Sequence, residues 1–405
     1  MTNAYRARRE RLAQRLPEGG VMLLFSGEEL PMGVDMTYPF SVDRNFYYLT
    51  GLDLPCAAVY VSRAEQRLYL PPFDPKREQY EGPQPTCEAL CAAAGFACCE
   101  EFTGIEQIVA ALPKTAVLYL DLQRDCAPLV RTPAARAKEA AERHGLTAEN
   151  GYARIFALRT VKDAEEIGKI RRAVTITGEA LDTMMRTCRA GMREYEWQAA
   201  FEMELCRRGC GCSFPSIVAS GKNAVYLHYV RNDAVVEEGQ LFLFDVGAYY
   251  QHYASDISRT YPVGGKFSPR QRELYDFVYD ATRLVLEHMK PYHLYSEHVR
   301  ELQAFFARYL QPLHIADTIE ERDAVLRMLS RGCCHHLGLD AHDGYAALDD
   351  ELLPGMVFTN EPGVYLGREG IGIRIEEDLL ITEQGNELLS ADIPASAADI
   401  EARMN

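Results

Sequence analysis

LFLFDVGAYYQHYASDISRTYPV, residues 241–263, sets two acids at the ends of apolar runs. Leu241, Phe242, Leu243 and Phe244 lead into Asp245, and Asp256 opens the run Ile257 to Val263. A carboxylate closing four large apolar residues is costly at a strand position unless a positive charge or hydrogen-bond donors meet it. The turn-prone stretch Tyr249 to Ser255 lies between them. The segment therefore reads as two strands whose connection sets both carboxylates on one face, toward one cation site.

Further along the chain the same pattern recurs. Cys334-His335-His336-Leu337-Gly338-Leu339-Asp340-Ala341-His342-Asp343 carries three histidines, and Phe358-Thr359-Asn360-Glu361-Pro362-Gly363 ends another apolar run in an acid. In Ile371-Gly372-Ile373-Arg374-Ile375-Glu376-Glu377 the period of two assigns the isoleucines to a core and turns Arg374 and Glu376 toward the site. Alone, each residue has an ordinary reading: a turn-forming Asp, a surface His336 or His342, a solvated Glu376-Glu377-Asp378. Together, Asp245, Asp256, His335, Glu361 and Glu376 form a hard oxygen set with one imidazole. Such a set suits a pair of Mn, Co, Fe or Zn ions, and with no thiolate among the ligands it is not a closed structural zinc site.

The 405 residues exceed what a single core usually supports, so two domains are expected. Residues 1–155 read as a small α/β domain: a helix from Ala4 to Leu16, strands near Val21–Phe25, Ala57–Val61, Arg67–Leu70 and Ala116–Leu120, and a helix from Ala134 to His144. The polar segment Thr147 to Tyr152 is taken as the boundary. Residues 156–405 alternate a helix pair, strands, a second helix pair and strands. A long amphipathic helix opens at Ala164, and Ser268-Pro269-Arg270-Gln271 starts another with a capping box and proline at the first helical position. That order predicts an α+β domain with two similar halves around a central sheet.

A net charge of -16 repels phosphate backbones, so nucleic acid is not an expected partner. The charged N-terminus and the short run Val21–Phe25 offer neither a signal segment nor a membrane span, and a cytoplasmic protein is expected. Twelve cysteines lack matched spacing and are expected as reduced thiols, mostly small core residues. A zinc site at Cys206, Cys210 and Cys212 would want a second ligand pair.

The runs DVGAYYQHYASDISRTYPVGGKF, HHLGLDAHD, TNEPGVYL and GIRIEED resemble the metallopeptidases of the pita-bread fold, aminopeptidase P and prolidase among them. SIVASGKNAVYLHY resembles the segment with a family active-site histidine, while LLFSGEE and YPFSVDRNFYYLTGLDLP resemble the N-terminal domain of aminopeptidase P. The likeness spans nearly the whole chain. It implies a catalytic domain built on a curved antiparallel sheet flanked by helices with pseudo-twofold symmetry. It also implies that Asp256 and Glu376 bridge two divalent metals, most simply Mn2+ with Co2+, Fe2+ or Zn2+ as alternatives, that Asp245 completes one and that His335 with Glu361 complete the other. A hydroxide generated between the metals would be the nucleophile. His228 and His342 match histidines that hold substrate and stabilise the oxyanion, and Arg374 matches an arginine that orients the carboxylates.

At Arg331 the chain departs from the pattern, which has a histidine four residues before the metal histidine. Arginine stays charged and exchanges no proton there; a grip on a substrate carboxylate is one reading, a solvent-facing residue the other. The activity implied is hydrolysis of the bond between an N-terminal residue and a penultimate proline, with Xaa-Pro dipeptidase as the alternative. Roughly 155 preceding residues disfavour methionine aminopeptidase, the intact ligands disfavour creatinase, and a metal-free binding protein of the same fold remains a further class. Peptides with penultimate proline are the expected partners, and the resemblance implies a homodimer or homotetramer.

Overall fold

The computed structural model describes residues 4–123, 131–331, 333–344 and 350–404; the backbone of Arg331 is among them but its side chain is not. The chain forms two compact units, Met1–Arg159 and Thr160–Asn405. No helix among the described residues is long and apolar enough to cross a membrane.

In the first unit α1 (Ala4–Arg15), β1 (Gly20–Phe25), α2 (Arg44–Thr50), β2 (Ala58–Ser62) and β3 (Gln66–Leu70) are followed by α3 (Pro75–Glu81), α4 (Cys87–Ala94) and β4 (Glu100–Glu101). Next come α5 (Ile105–Ala110), β5 (Val117–Leu120), α6 (Pro133–Arg143), β6 (Thr147–Asn150) and α7 (Tyr152–Arg159). The six strands make one mixed sheet in the order β4-β3-β2-β1-β5-β6. β1 lies near its centre, antiparallel to β2 and parallel to β5, and every residue of Gly-Val-Met-Leu-Leu-Phe is buried. That is why it reads as an unbroken apolar run rather than an alternating one. Thr147 to Asn150, expected as a polar boundary segment, is instead an edge strand in parallel register with β5. An edge strand presents its outward side to water, so polar side chains suit it as well as they suit a loop.

The second unit opens with α8 (Ala164–Thr187) and α9 (Glu194–Arg207). Asp163 and Glu166 cap α8 reciprocally, and its buried face includes Ile170, Val174, Leu181, Met184 and Met185. Then follow β7 (Gly211–Cys212), β8 (Ile217–Ser220), β9 (Leu241–Val246), β10 (Ala248–Tyr250), β11 (Tyr253–Ala254) and β12 (Ile257–Pro262). The second half repeats the order with α10 (Pro269–His288), α11 (Tyr295–Tyr309) and α12 (Ile319–Met328), then β13 (Val357–Asn360), β14 (Gly363–Leu366), β15 (Ile371–Arg374), β16 (Glu377–Thr382) and β17 (Gly385–Leu388), closing on α13 (Ala397–Met404). Ser268 caps α10 and Gln271 reaches back, as its sequence predicts. β9 is central to an antiparallel trio with β8 and β12, and β16 is central to another with β13 and β17.

Two expectations change. The stretch Ile371–Glu377 is not one strand: β15 pairs with β14, β16 pairs with β13 and β17, and residues 375–376 form the joint. The ribbon changes partners there, so its backbone turns to others: Ile375 N–H reaches the Pro362 carbonyl and Glu376 N–H the Ser258 carbonyl at 3.0 Å. Nor are the cysteines mostly core residues. Cys91, Cys188 and Cys334 are buried, but Cys56, Cys87, Cys98 and Cys206 are exposed, because the turns and helix faces that carry them look outward.

One buried cation welds the joint to β12. The Arg259 side chain is fully buried; its guanidinium donates to both oxygens of Glu377 at 3.0 and 2.9 Å and to the carbonyls of Ser258 (3.0 Å), Glu376 (2.6 Å) and Pro394 (2.8 Å). Burial pushes the Glu377 carboxyl up and Arg259 pulls it back. Arg259→Met strands that carboxylate and should cost about 3–5 kcal/mol, read as a lower urea midpoint, with Glu377→Gln in the same chain recovering part of the loss. An unchanged midpoint in the single variant would show that the pair does not hold the joint.

Candidate metal centre

Strand register decides where the acids meet. Asp245, the penultimate residue of β9, lies opposite Ser258 of β12 and Ile217 of β8. Between Asp245 and Asp256 the chain makes the tight β10–β11 hairpin, and at its base a Cβ on Gly247 would fall 1.9 Å from the Ser255 carbonyl oxygen, so only glycine permits the approach. Asp256 thus returns beside the strand that carries Asp245, and its backbone N–H donates to Asp378 Oδ2 at 3.1 Å. On the other side, Thr359 N–H donates to the His335 carbonyl at 2.9 Å, His335 N–H donates to Thr359 Oγ1 at 3.1 Å, and Glu361 N–H donates to the Cys333 carbonyl at 2.9 Å. These bonds extend the edge of β13 and set His335 next to Glu361.

The side chains of the five residues converge. Ligand atoms of Asp256, His335 and Glu376 all lie within 4.8 Å of one another. His335 Nε2 is 3.4 Å from Glu361 Oε1 and 3.7 Å from Asp256 Oδ2. Its Nδ1 is 3.1 Å from the His336 carbonyl, which can only accept, so Nδ1 carries the hydrogen and Nε2 offers a lone pair to the acids. Burial holds this imidazole below its ordinary pKa, so these contacts join a neutral ring to carboxylates and are not ion pairs. Asp245 joins through Arg374, whose guanidinium donates to Asp245 Oδ2, to Tyr365 Oη at 3.0 Å and to Ser258 Oγ at 2.8 Å. Ser258 Oγ in turn donates to Glu376 Oε2 at 2.7 Å.

Burial first, and then mutual repulsion, raises the carboxyls: Asp256 well above its ordinary value by burial and by Glu376 and Asp245, Glu376 likewise by burial and by Glu361 and Asp245. Glu361 is raised by burial, with Arg374 opposing. Asp245 Oδ1 is buried without a hydrogen-bond partner. Four acids, one of them with an orphaned oxygen, and an imidazole lone pair are electron-pair donors with a single guanidinium among them in the described residues. The donor set fits divalent cations that take oxygen and one nitrogen.

His342 and His228 stand at the rim. His342 is exposed and its ring centroid is 4.2 Å from that of His335. His228, on the exposed turn after residues 221–225, lies close enough for its charge to act on Glu361 and on His342. The Arg331 side chain lies outside the described residues. Sequence reasoning passed over Ser258, Thr260 and Tyr365. Thr260 Oγ1 accepts the Arg374 N–H at 3.2 Å and donates to its carbonyl at 3.1 Å, completing the seat of that arginine. A signal existed: Asp256, Ser258 and Thr260 alternate at period two and so share a face.

Residues 168–383 match metallopeptidase family M24, and residues 5–119 match the N-terminal domain of aminopeptidase P. The Xaa-Pro aminopeptidase of Haemophilus influenzae is 34% identical, with 99% of this chain and 97% of that protein covered. Aminopeptidase P of Escherichia coli in its low-pH form superposes with a TM-score of 0.87 at 31% identity, covering 99% of this chain and 97% of the other. A zinc-substituted form of that enzyme in complex with product gives a TM-score of 0.86, also at 31% identity over 99% and 97%. The buried donor set thus sits in a pita-bread scaffold shared along its whole length with these enzymes, and the chain belongs to metallopeptidase family M24.

Proposed function

We propose that this chain is a metal-dependent Xaa-Pro aminopeptidase, hydrolysing the bond between an N-terminal residue and a penultimate proline. The observation that carries the metal chemistry is the convergence of Asp245, Asp256, His335, Glu361 and Glu376 with one buried carboxylate oxygen left unpartnered. Proline specificity rests on similarity to Xaa-Pro aminopeptidases over nearly the whole length of both chains, which also disfavours the dipeptidase reading.

Asp245, Asp256, His335, Glu361 and Glu376 would together hold the ions, with Asp256 and Glu376 central among the ligands. Two divalent ions, most simply Mn2+, would offset the four carboxylates and supply Lewis acidity and a water acidic enough to lose its proton near neutral pH. Arg374 orients Asp245 through its fork while Ser258 holds Glu376, so both carboxylates keep a fixed direction as charge shifts at the centre. His228 and His342 sit at the open side, placed to hold the substrate amide and to donate to its carbonyl oxygen as negative charge develops there. Arg331 is assigned the grip on a nearby substrate carboxylate. Residues 1–155 are assigned the role of the aminopeptidase P N-terminal domain, in a cytoplasmic homodimer or homotetramer, with 156–405 as the catalytic domain.

With manganese added, Ala-Pro-Ala should be cleaved in strong preference to Ala-Pro; cleavage of Ala-Pro alone would make the chain a dipeptidase. Arg374→Lys keeps the charge but loses the fork and should lower metal affinity or turnover by about 10–100-fold, measured by manganese titration and steady-state kinetics. Arg331→Met should lower turnover of the two peptides by different factors, and equal factors would remove the carboxylate grip. The raised carboxyls also set a pH dependence. Acids whose folded pKa exceeds the unfolded value bind more protons folded, so metal-free protein should lose stability as pH rises from the ordinary carboxylate range through the raised values. Manganese should therefore raise the melting temperature more at about pH 8 than at about pH 5. An equal rise at both would contradict the assigned ligands.

A further inference from the structure

Beneath the loop that carries His335 and His342 lies an ion pair with no part in the chemistry above. Lys162 Nζ is 3.3 Å from Asp343 Oδ2, and the two side chains are only 1% and 2% exposed. Removing one partner of so deeply buried a pair leaves the other charge without water, so the two groups hold each other strictly in place. Both ends are anchored. Lys162 N–H donates to the Gly355 carbonyl at 2.8 Å, just ahead of β13, while Asp343 N–H donates back to the His336 carbonyl, also at 2.8 Å. The loop 336–343 is thereby closed into a ring, with Lys162 plugging its underside.

Two contacts tie this closure to the metal centre. The His336 carbonyl that accepts from Asp343 is the same oxygen that accepts Nδ1–H of His335 at 3.1 Å. The ring of His342, carried by the same loop, lies with its centroid 4.2 Å from that of His335. The Asp343 carboxylate packs so tightly on Gly338 that a Cβ there would lie 2.0 Å from Oδ2 and 3.0 Å from Lys162 Cε, and Gly338 passes the constraint to the β11 strand, whose Ala254 N–H donates to its carbonyl at 2.8 Å. Two residues beyond Ala254 stands Asp256. The pair thus fixes the tautomer and ring plane of His335, and it seats the backbone from which His342 projects.

We infer that Lys162 and Asp343 are positioning residues: their buried ion pair closes the loop whose His336 carbonyl directs His335 Nε2 at the carboxylates, and it sets the place of His342. The inference rests on His335 being a metal ligand and His342 a substrate-facing group, as proposed above. It adds to that reading two residues that touch neither metal nor substrate.

The test uses the full chain with Asp343→Asn, Lys162→Met and the neutral double variant, and it begins on metal-free protein. Imidazole 15N chemical shifts and long-range couplings report which nitrogen of His335 bears hydrogen. Wild type should show the Nδ1–H form, and Asp343→Asn a mixture of tautomers. Manganese affinity should fall in Asp343→Asn by about 10–100-fold, as for other groups that orient a ligand from behind. If Lys162→Met fails to fold, the double variant, which strands neither charge, keeps the measurement possible. It should fold and still show mixed tautomers, because the closure is lost although no charge is left bare. A folded Asp343→Asn chain with the wild-type His335 tautomer and wild-type manganese affinity would overturn the inference, even if its melting temperature had dropped. Because the tautomer is read without metal or substrate, a wild-type chain that failed to cleave Xaa-Pro peptides would sink the proposed function and leave this result standing.

Discussion

Four carboxylates and one imidazole lone pair crowded into a site with little water are the constraint around which the catalytic unit is built. Burial alone disfavours each charge, and proximity multiplies the penalty, so that Asp256 and Glu376 are both held well above their ordinary ionisation range. A fold does not keep such an arrangement for stability. It can be kept only if cations occupy the centre when the protein works, and if the polypeptide around it is rigid enough to stop the acids turning away in the meantime.

The rigidity comes from a small number of buried polar groups. Among the described residues Arg374 is the guanidinium that reaches into the donor set; it is seated by Thr260, Ser258 and Tyr365 and reaches Asp245. Arg259 lies one residue along the strand from Ser258, faces the other way and binds Glu377 with the neighbouring carbonyls. The alternation of β12 therefore sends Ser258 to the metal side and Arg259 to the structural side of the same sheet. Lys162 and Asp343 act on the third edge, under the histidine loop. Each of these cations meets a carboxylate that could not otherwise be buried, and each such pair supports the backbone next to a candidate ligand.

Much of this was legible beforehand because apolar runs that end in an acid are chemically expensive. Asp245 after Leu241–Phe244 and Glu361 after Val357–Asn360 announce a compensating partner even when that partner is unknown, and the tertiary structure does bring both to one place. Helix starts were legible for a similar reason: the capping box at Ser268 and Gln271 is satisfied locally and needs no distant contact. The break between β15 and β16 was not legible, since Ile371 to Glu376 alternates without interruption and only the presence of two different partner strands divides the stretch. Thr147–Asn150 was misread for the same reason, because the difference between a polar loop and an edge strand lies in the neighbour it pairs with. The cysteines were expected mostly in the core by residue type, which says nothing about which way a helix faces, and Cys87 and Cys206 face outward.

What the sequence by itself determined is the chemical character of the centre: hard oxygen donors with one imidazole, carried on strand ends, in a chain long enough for two domains. These follow from composition and from short-range periodicity, which are properties of the covalent chain. What only the tertiary structure decided is which nitrogen of His335 faces the acids, which oxygen of Asp245 is left without a partner, and which buried cation stands behind each ligand. The last two depend on contacts between residues more than a hundred positions apart, such as Arg374 with Asp245 and Lys162 with Asp343, and the first on how the loop folds back on the His336 carbonyl. No local pattern encodes such contacts, because they arise only when strand register and loop closure bring the partners to within hydrogen-bonding distance.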